Sequence, residues 1–504
     1  MPVAYFFFCG ADKERVKLCS LIREWCRQLI EAYPEVLSKL LVGQNPDKHR
    51  KASADEVSHF FYELLEHAPP CYLTVDALDE CEEIEKVENF FNSIPRRFKI
   101  LVVSRNCARV RTVLSSNPRK PVCFEIQPEH TAADVDLFIN SKLENITPRL
   151  EADVMSTILT KLETPNKTFL WVKLLFQETE QEIDDSEIIE CVDKMPRAPN
   201  DVYDRILARV NQQDPLKRLL AHLIFFWVVS MRRPISVSEL RGLLTVSFES
   251  NTFDKHGISS YDDKELLSYC GGLVQTRYAE NTIWPAHFTV LEYLRKIMGK
   301  PGILEEVMSY YSIGGMRSYE SLAAAVCLQY LCSPDIESLR KPNNRSEANE
   351  LLQSYDSWCR PLAYAASQWQ HHLGEVRVVE PRLLELVLRF LDPKHQNIDV
   401  WWHIYWFTNV ESLNAGQCPT LSGTAIISYF GLDIISKELK KIRWSHKTVT
   451  AMVLRYVETH WAPSDRMADG NTSCLLLLLG GIGMFALGCW FSSLRSQIII
   501  QNDA

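Results

Sequence analysis

The sequence predicts an α/β segment followed by an all-α region, closed by a C-terminal transmembrane helix. Three observations carry this. Short apolar runs rich in β-branched and aromatic residues recur at 3–8, 71–76, 99–105 and 121–127, with amphipathic stretches between them. After residue 130 such runs cease and helical periodicity takes over. From Cys474 to Leu494, "CLLLLLGGIGMFALGCWFSSL", the chain carries no charge.

Taken in order, residues 1–130 read as the α/β domain. "VAYFFF", "CYLTVD", "KILVVSR" and "PVCFEIQ" each have the composition of a strand buried on both faces. Between the first two, Val16, Cys19, Ile22, Cys26 and Leu29 recur at helical spacing, and Ser53 with Glu56 forms a capping box ahead of "VSHFFYELLEH". Strands alternating with helices predict a parallel, doubly wound sheet.

Residues 131–212 are helical through "TAADVDLFINSKL", "NKTFLWVKLLFQETEQ" and "NDVYDRILARVNQ". In 213–298, "RRPISVSELRGLLTV" puts Pro and Ser before a short helix, and "GGLVQTRYAENTIWPAHFTVLEYL" reads as a hairpin and then a helix. Together they predict a helix-turn-helix with a β-wing. Residues 299–410 are again helical, and 411–445 hold the pair of short segments "TAIISYFGLDIISKELKK".

The apolar stretch within 472–494 is long enough, at about 1.5 Å per residue, to span a hydrocarbon core of about 30 Å. Lys437, Lys440, Lys441, Arg443 and Lys447 precede it and Arg495 follows. The expectation is a single-pass membrane protein anchored by its C terminus, with the body in the cytosol. The start of the chain has no basic n-region and no apolar stretch of signal-peptide length.

At 504 residues the chain exceeds one core and suggests roughly three or four units. A net charge of -9, with no basic stripe, argues against a general nucleic-acid binder. Fifteen cysteines without a C-x-x-C pair fit reduced thiols better than a disulfide framework.

Chemistry concentrates in "CYLTVDALDECEE". A strand that ends in Asp76 and is followed by Asp79 and Glu80 has the layout by which P-loop NTPases hold magnesium and polarise the attacking water. Asp76 is the candidate metal ligand, and Glu80 with Asp79 the candidate catalytic pair. The other reading is an acidic helix N-terminus stabilised by the helix dipole. "KILVVSR" ends in Ser104 and Arg105, where a neighbouring strand presents either a group for the γ-phosphate or a solvent-facing Arg.

In this order these segments resemble the NACHT-type nucleotide-binding domain of the STAND class of signal-transduction NTPases, especially the fungal set that carries ankyrin or WD repeats. The likeness runs from "AYFFF" to about residue 370. "LTVDALDEC" looks like the family's Walker B box and "ILVVSR" like its sensor strand. "TFLWVKLL" and "APNDVYDRILARV" are similar to its helical lid, and "RPISVSELRGLL" with "YCGGLV" and "AHFTVLEYL" to its winged helix. The resemblance implies a truncated P-loop NTPase-type sheet, Mg-ATP or ADP as ligand, Arg105 and His287 at the nucleotide, and residues 424–441 as one degenerate ankyrin unit.

One departure sets the functional expectation. The family places a G-x-x-x-x-G-K-[ST] loop ahead of the strand seen here at residue 3, and residues 1–504 contain none. Gly10 and Gly43 precede no Lys-Ser or Lys-Thr, and "GKPG" at 299–302 puts Pro301 where the magnesium-binding hydroxyl belongs. The chain is therefore expected to be a membrane-anchored signalling or regulatory scaffold with a degenerate nucleotide site and no autonomous catalysis. The alternative is an ATPase whose phosphate loop lies upstream or on another chain. Expected partners are the membrane and further proteins, not nucleic acid; the winged-helix segment offers only Arg241 as a base-reading cation. His371 and His372, adjacent on a helix, and the aromatic "WWHIYW" read as packing.

Overall fold

The computed structural model describes residues 2–40, 54–115, 121–146, 152–162, 168–179, 185–196, 198–245, 261–277, 281–300, 302–353, 360–392, 396–409, 418 and 423–444. The chain divides into two compact units, Met1–Ile435 and Ser436–Ala504.

In chain order the α/β layer consists of β1 (Val3–Phe7), α1 (Leu18–Ala32), α2 (Pro34–Leu40), α3 (Ala54–His67), β2 (Tyr72–Asp76), α4 (Ile84–Ser93), β3 (Lys99–Val102) and α5 (Ala108–Ser115). The three strands are parallel in the order β1-β2-β3, with Val3 opposite Tyr72 and Tyr72 opposite Lys99. Helix α1 turns Leu18, Leu21, Ile22, Trp25, Cys26 and Leu29 inward. They meet Ala4, Phe6, Leu73 and Val75 from the sheet in one core. Trp25, fully buried beside Phe61 and Phe90 with ring centroids about 6 Å apart, is its centre; truncating such a residue costs about 3–5 kcal/mol.

The strands are not buried on both faces. Val3, Tyr5, Phe7, Tyr72, Leu101 and Val103 lie on the opposite face, each between 44 and 55% exposed. Composition alone concealed this, because the outward residues are as apolar as the inward ones. The free edge of β1 is closed by side chains instead of a strand: Tyr5 N donates to Gln28 Oε1 and Gln28 Nε2 to Tyr5 O, both at 2.9 Å, and Arg15 Nη2 donates to Phe7 O at 2.9 Å. Capping an edge in this way blocks further strand pairing.

The fourth expected strand, 121–127, has no ladder partner among the described residues. It carries no regular structure, with Val122, Phe124 and Ile126 exposed, and is tied to the end of the sheet by Asn106 Nδ2 donating to Glu125 Oε1 at 3.0 Å. The Ser53 half of the capping box lies outside the described residues. The doubly wound, P-loop-type sheet is thus reduced to three strands covered on one face, in a fold that is mostly helical.

Helices follow: α6 (Pro128–Ile146), α7 (Ala152–Leu162), α8 (Phe169–Thr179), α9 (Asp185–Asp193), α10 (Pro199–Gln212), α11 (Pro215–Ser230), α12 (Val237–Thr245) and α13 (Asp263–Ser268). Next come an antiparallel hairpin of β4 (Val274–Arg277) and β5 (Thr282–Pro285), and helix α14 (Phe288–Met298). The chain continues through α15 (Ile303–Tyr310), α16 (Tyr319–Leu331), α17 (Pro334–Glu337), α18 (Arg345–Leu352), α19 (Leu362–Glu375), α20 (Pro381–Phe390), α21 (Asn397–Asn409), α22 (Gly423–Tyr429) and α23 (Asp433–Trp444).

Asp214 caps α11 by accepting from Leu216 N at 3.0 Å, and Pro215 occupies its first turn. Trp401 of α21 is buried, donates to Ala366 O at 2.8 Å and lies among Trp369, Phe390 and Phe430. His372 is buried between Glu320 (2.7 Å) and the Tyr364 hydroxyl (2.9 Å). Arg241 is spent on Tyr261 O and Asp263.

The membrane expectation is corrected. No helix among the described residues is long and apolar enough to cross a membrane. The very apolar α11 has 16 residues, about 24 Å against a hydrocarbon core of about 30 Å, and packs inside the protein, buried from Leu220 to Ser230. The stretch 472–494 lies outside the described residues. A C-terminal transmembrane helix, a membrane partner and a single-pass localisation therefore have no support in this fold.

Candidate functional site

Strand β2 carries its last side chain, Asp76, to the carboxyl edge of the sheet, where Asp76 Oδ1 accepts from Ala77 N at 2.8 Å. Ala77 then adopts φ 54° and ψ 44°, a left-handed conformation that costs a residue with a Cβ roughly 1–2 kcal/mol. The reversal starts a short 3₁₀ turn, Leu78–Glu80, anchored on the neighbouring strand by Leu78 N donating to Val103 O at 3.3 Å. Asp79 and Glu80 are thereby aimed in different directions.

Asp79 turns back toward the end of β3. Its Oδ1 accepts from Ser104 Oγ (2.9 Å) and Arg105 N (3.0 Å), and its Oδ2 from Arg105 Nε (2.5 Å). The side chain is 4% exposed. Burial pushes its pKa up, but the hydrogen bonds from Arg105 and Ser104 outweigh that and hold it below the ordinary carboxylate range. Glu80 turns the other way, to the loop after β1, and accepts from Gly10 N at 2.6 Å. Its pKa is raised, chiefly by burial and also by the charge of Asp79, with the Gly10 N–H opposing.

Arg105 is the hub. Beyond Asp79, its Nη1 and Nη2 donate to Glu292 Oε2 and Oε1, each at 3.2 Å, and the guanidinium carbon stands 4.9 Å from the centre of the Phe288 ring. Burial works against its charge, yet the bonds to Glu292 and Asp79 raise its pKa. From the same helix Arg295 Nη2 donates to Gly10 O at 3.0 Å. His287 is the N-cap of α14: its Nδ1 accepts from Thr289 N at 3.2 Å. Partial burial lowers the imidazole pKa, and the charges of Lys173 and Arg105 lower it further.

Four of the five residues singled out from the sequence are thus joined, Asp79 to Arg105 directly, and Glu80 and His287 through the loop and helix that meet there. Asp76 remains in its own turn. The residues that complete the arrangement, Gly10, Phe288, Glu292 and Arg295, were not singled out. A signal existed: Phe288, Glu292 and Arg295 are spaced i, i+4, i+7 and share one face of α14.

The polar groups of the site are largely engaged with one another. Both oxygens of Asp79 are filled by donors, Glu80 holds a backbone amide, and the nearest guanidinium is neutralised by two carboxylates. Among the described residues no three His, Cys, Asp or Glu side chains converge to hold a metal ion. What the site does chemically is join three chain segments by charge-assisted hydrogen bonds.

The family model described as nephrocystin 3, N-terminal, matches residues 1–105, which include the whole sheet and end on Arg105. This is consistent with a NACHT/STAND-like N-terminal region. No curated protein matches the chain.

Proposed function

We propose that this protein is a signalling or regulatory scaffold of NACHT/STAND type, with a degenerate nucleotide site and no autonomous catalysis. The observation that carries the reading is the commitment of Arg105: the cation that would face a γ-phosphate is bound to Asp79 and Glu292. The nephrocystin 3 N-terminal match is consistent with a regulatory scaffold.

The ankyrin association is part of the same proposal. It rests on the segment from 424 to 441, where α22 and α23 are separated by a turn with Gly431 at φ 62°. Phosphate release from Mg-ATP tests the catalytic half. Full-length protein and its Glu80→Gln variant are expected to show the same background; release by the wild type that the substitution abolishes would overturn it.

A further inference from the structure

All-parallel sheets occur almost only with both faces covered, whereas the sheet β1-β2-β3 packs its helices on one face and leaves the other bare. The strand registers set the bare face out in rows. Val3, Tyr72 and Lys99 form the row at the amino ends of the strands; Phe7 and Asp76, with Val103 continuing the register, form the row at the carboxyl ends. Between them Tyr5 and Leu101 flank Thr74, and the Tyr5 and Phe7 rings meet edge to face with centroids 5.6 Å apart. We infer that this face is the interface of a closed two-fold dimer, in which a second copy of the chain supplies the missing layer, sheet against sheet.

Size and charge select a second copy as the occupant. The half-exposed apolar side chains of the face present on the order of 600 Å². Val122, Phe124 and Ile126, held beside the end of β3 by the Asn106–Glu125 bond, raise the sum to about 1,000 Å², against about 800 Å² per partner in a standard-size interface. Strand addition is blocked at the outer edge of β1 by Gln28 and Arg15, which directs association there to the face. Two twisted sheets pack with their strands within about 30° of each other. A two-fold axis running across the strands then lays the amino-end row of each copy over the carboxyl-end row of the other. Lys99 of each copy thereby meets the row that holds Asp76, so the face complements itself in charge as well as in apolar surface. Such a dimer closes at two copies and needs no nucleotide, so it stands or falls apart from the scaffold reading.

Sedimentation equilibrium of the full-length protein without nucleotide, across the micromolar range, is the test, and a monomer–dimer equilibrium is the expected result. Tyr5→Asp and Leu101→Asp each bury an unpaired charge in both halves of the interface and are expected to weaken association about a hundredfold or more. Leu388→Asp, at an exposed leucine of α20, leaves it unchanged. Lys99→Asp and Asp76→Lys each set like charges together and weaken it about threefold to tenfold. Mixing those two variants restores it, because in the heterodimer both contacts again join opposite charges. A reading on the wild type stands free of any folding defect in the variants. Hydroxyl-radical labelling of Tyr5 and Tyr72 is expected to fall several-fold as concentration rises through the transition, while that of the exposed Tyr429 holds steady. A monomer throughout would leave the face to a different partner and overturn the dimer. So would unchanged labelling of Tyr5 and Tyr72, a mixture no stronger than its components, open assemblies larger than two, or association that appears only with Mg-ATP.

Discussion

Gly10 lies edge-on to the Phe288 ring, so close that a Cβ at position 10 would overlap the ring edge, although the two residues are 278 positions apart. Its backbone φ is not among the positive ones, so the constraint is space alone. Gly10→Ala is expected to destabilise the protein by about 1–3 kcal/mol, as overpacking does. Thermal or denaturant unfolding measures this. Adding Phe288→Ala should recover part of the loss, and a double variant no better than the sum of the two singles would contradict the contact.

The two neighbouring carboxylates should answer differently to loss of charge. Asp79→Asn removes a buried acceptor from Arg105 and is expected to cost about 1–3 kcal/mol. Glu80→Gln keeps an oxygen for Gly10 N and relieves a carboxylate whose ionisation burial opposes, so its cost should stay within about 1 kcal/mol. Equal costs in urea unfolding would show that the two share one role.

Acid titration separates them by sign. The folded pKa of Asp79 lies below its unfolded value, so its contribution is present above the unfolded pKa, about 3.9, and is lost as pH falls through the folded one. Glu80 has the opposite shift; its ionisation subtracts stability as pH rises through its raised folded pKa. In Asp79→Asn the decline of stability below about pH 4 should therefore be shallower than in wild type. In Glu80→Gln it should be steeper as pH falls through the raised folded pKa of Glu80 toward its unfolded value. Unfolding curves at a series of pH values read both.

His287 is expected to act through helix α14. His287→Ala removes the N-cap and should cost about 0.5–2 kcal/mol, while His287→Asn, which supplies an oxygen to Thr289 N, should retain most of the stability. Because the folded pKa is lowered, the cap's contribution holds above the unfolded value of about 6.5 and fades as pH drops through the folded one. A His287→Asn variant as unstable as His287→Ala would place the role of the ring elsewhere.

Local pattern located the elements and missed what joins them. "YLTVD" and "KILV" were legible as strands because β-branched and aromatic residues concentrate there, and the face of α1 was legible from its periodicity. That one face of the sheet stays open was not, since Val3, Tyr5 and Phe7 read as core whether covered or bare. "PVCFEIQ" has the alternation of a strand but has no ladder partner among the described residues, and pairing is not a local property. At the candidate site the sequence put Asp79 and Arg105 near each other in the fold. It could not reveal that Glu292, 187 residues beyond Arg105, takes the other side of the guanidinium.

The central claim is that Arg105 and the carboxylates before it are committed to one another and not to a nucleotide. Equilibrium binding of labelled ATP with magnesium to the full-length protein tests it most directly, with Asp76→Ala alongside. The expected result is no saturable binding up to millimolar nucleotide and no difference between the two proteins. Micromolar binding by the wild type that disappears in Asp76→Ala would contradict it.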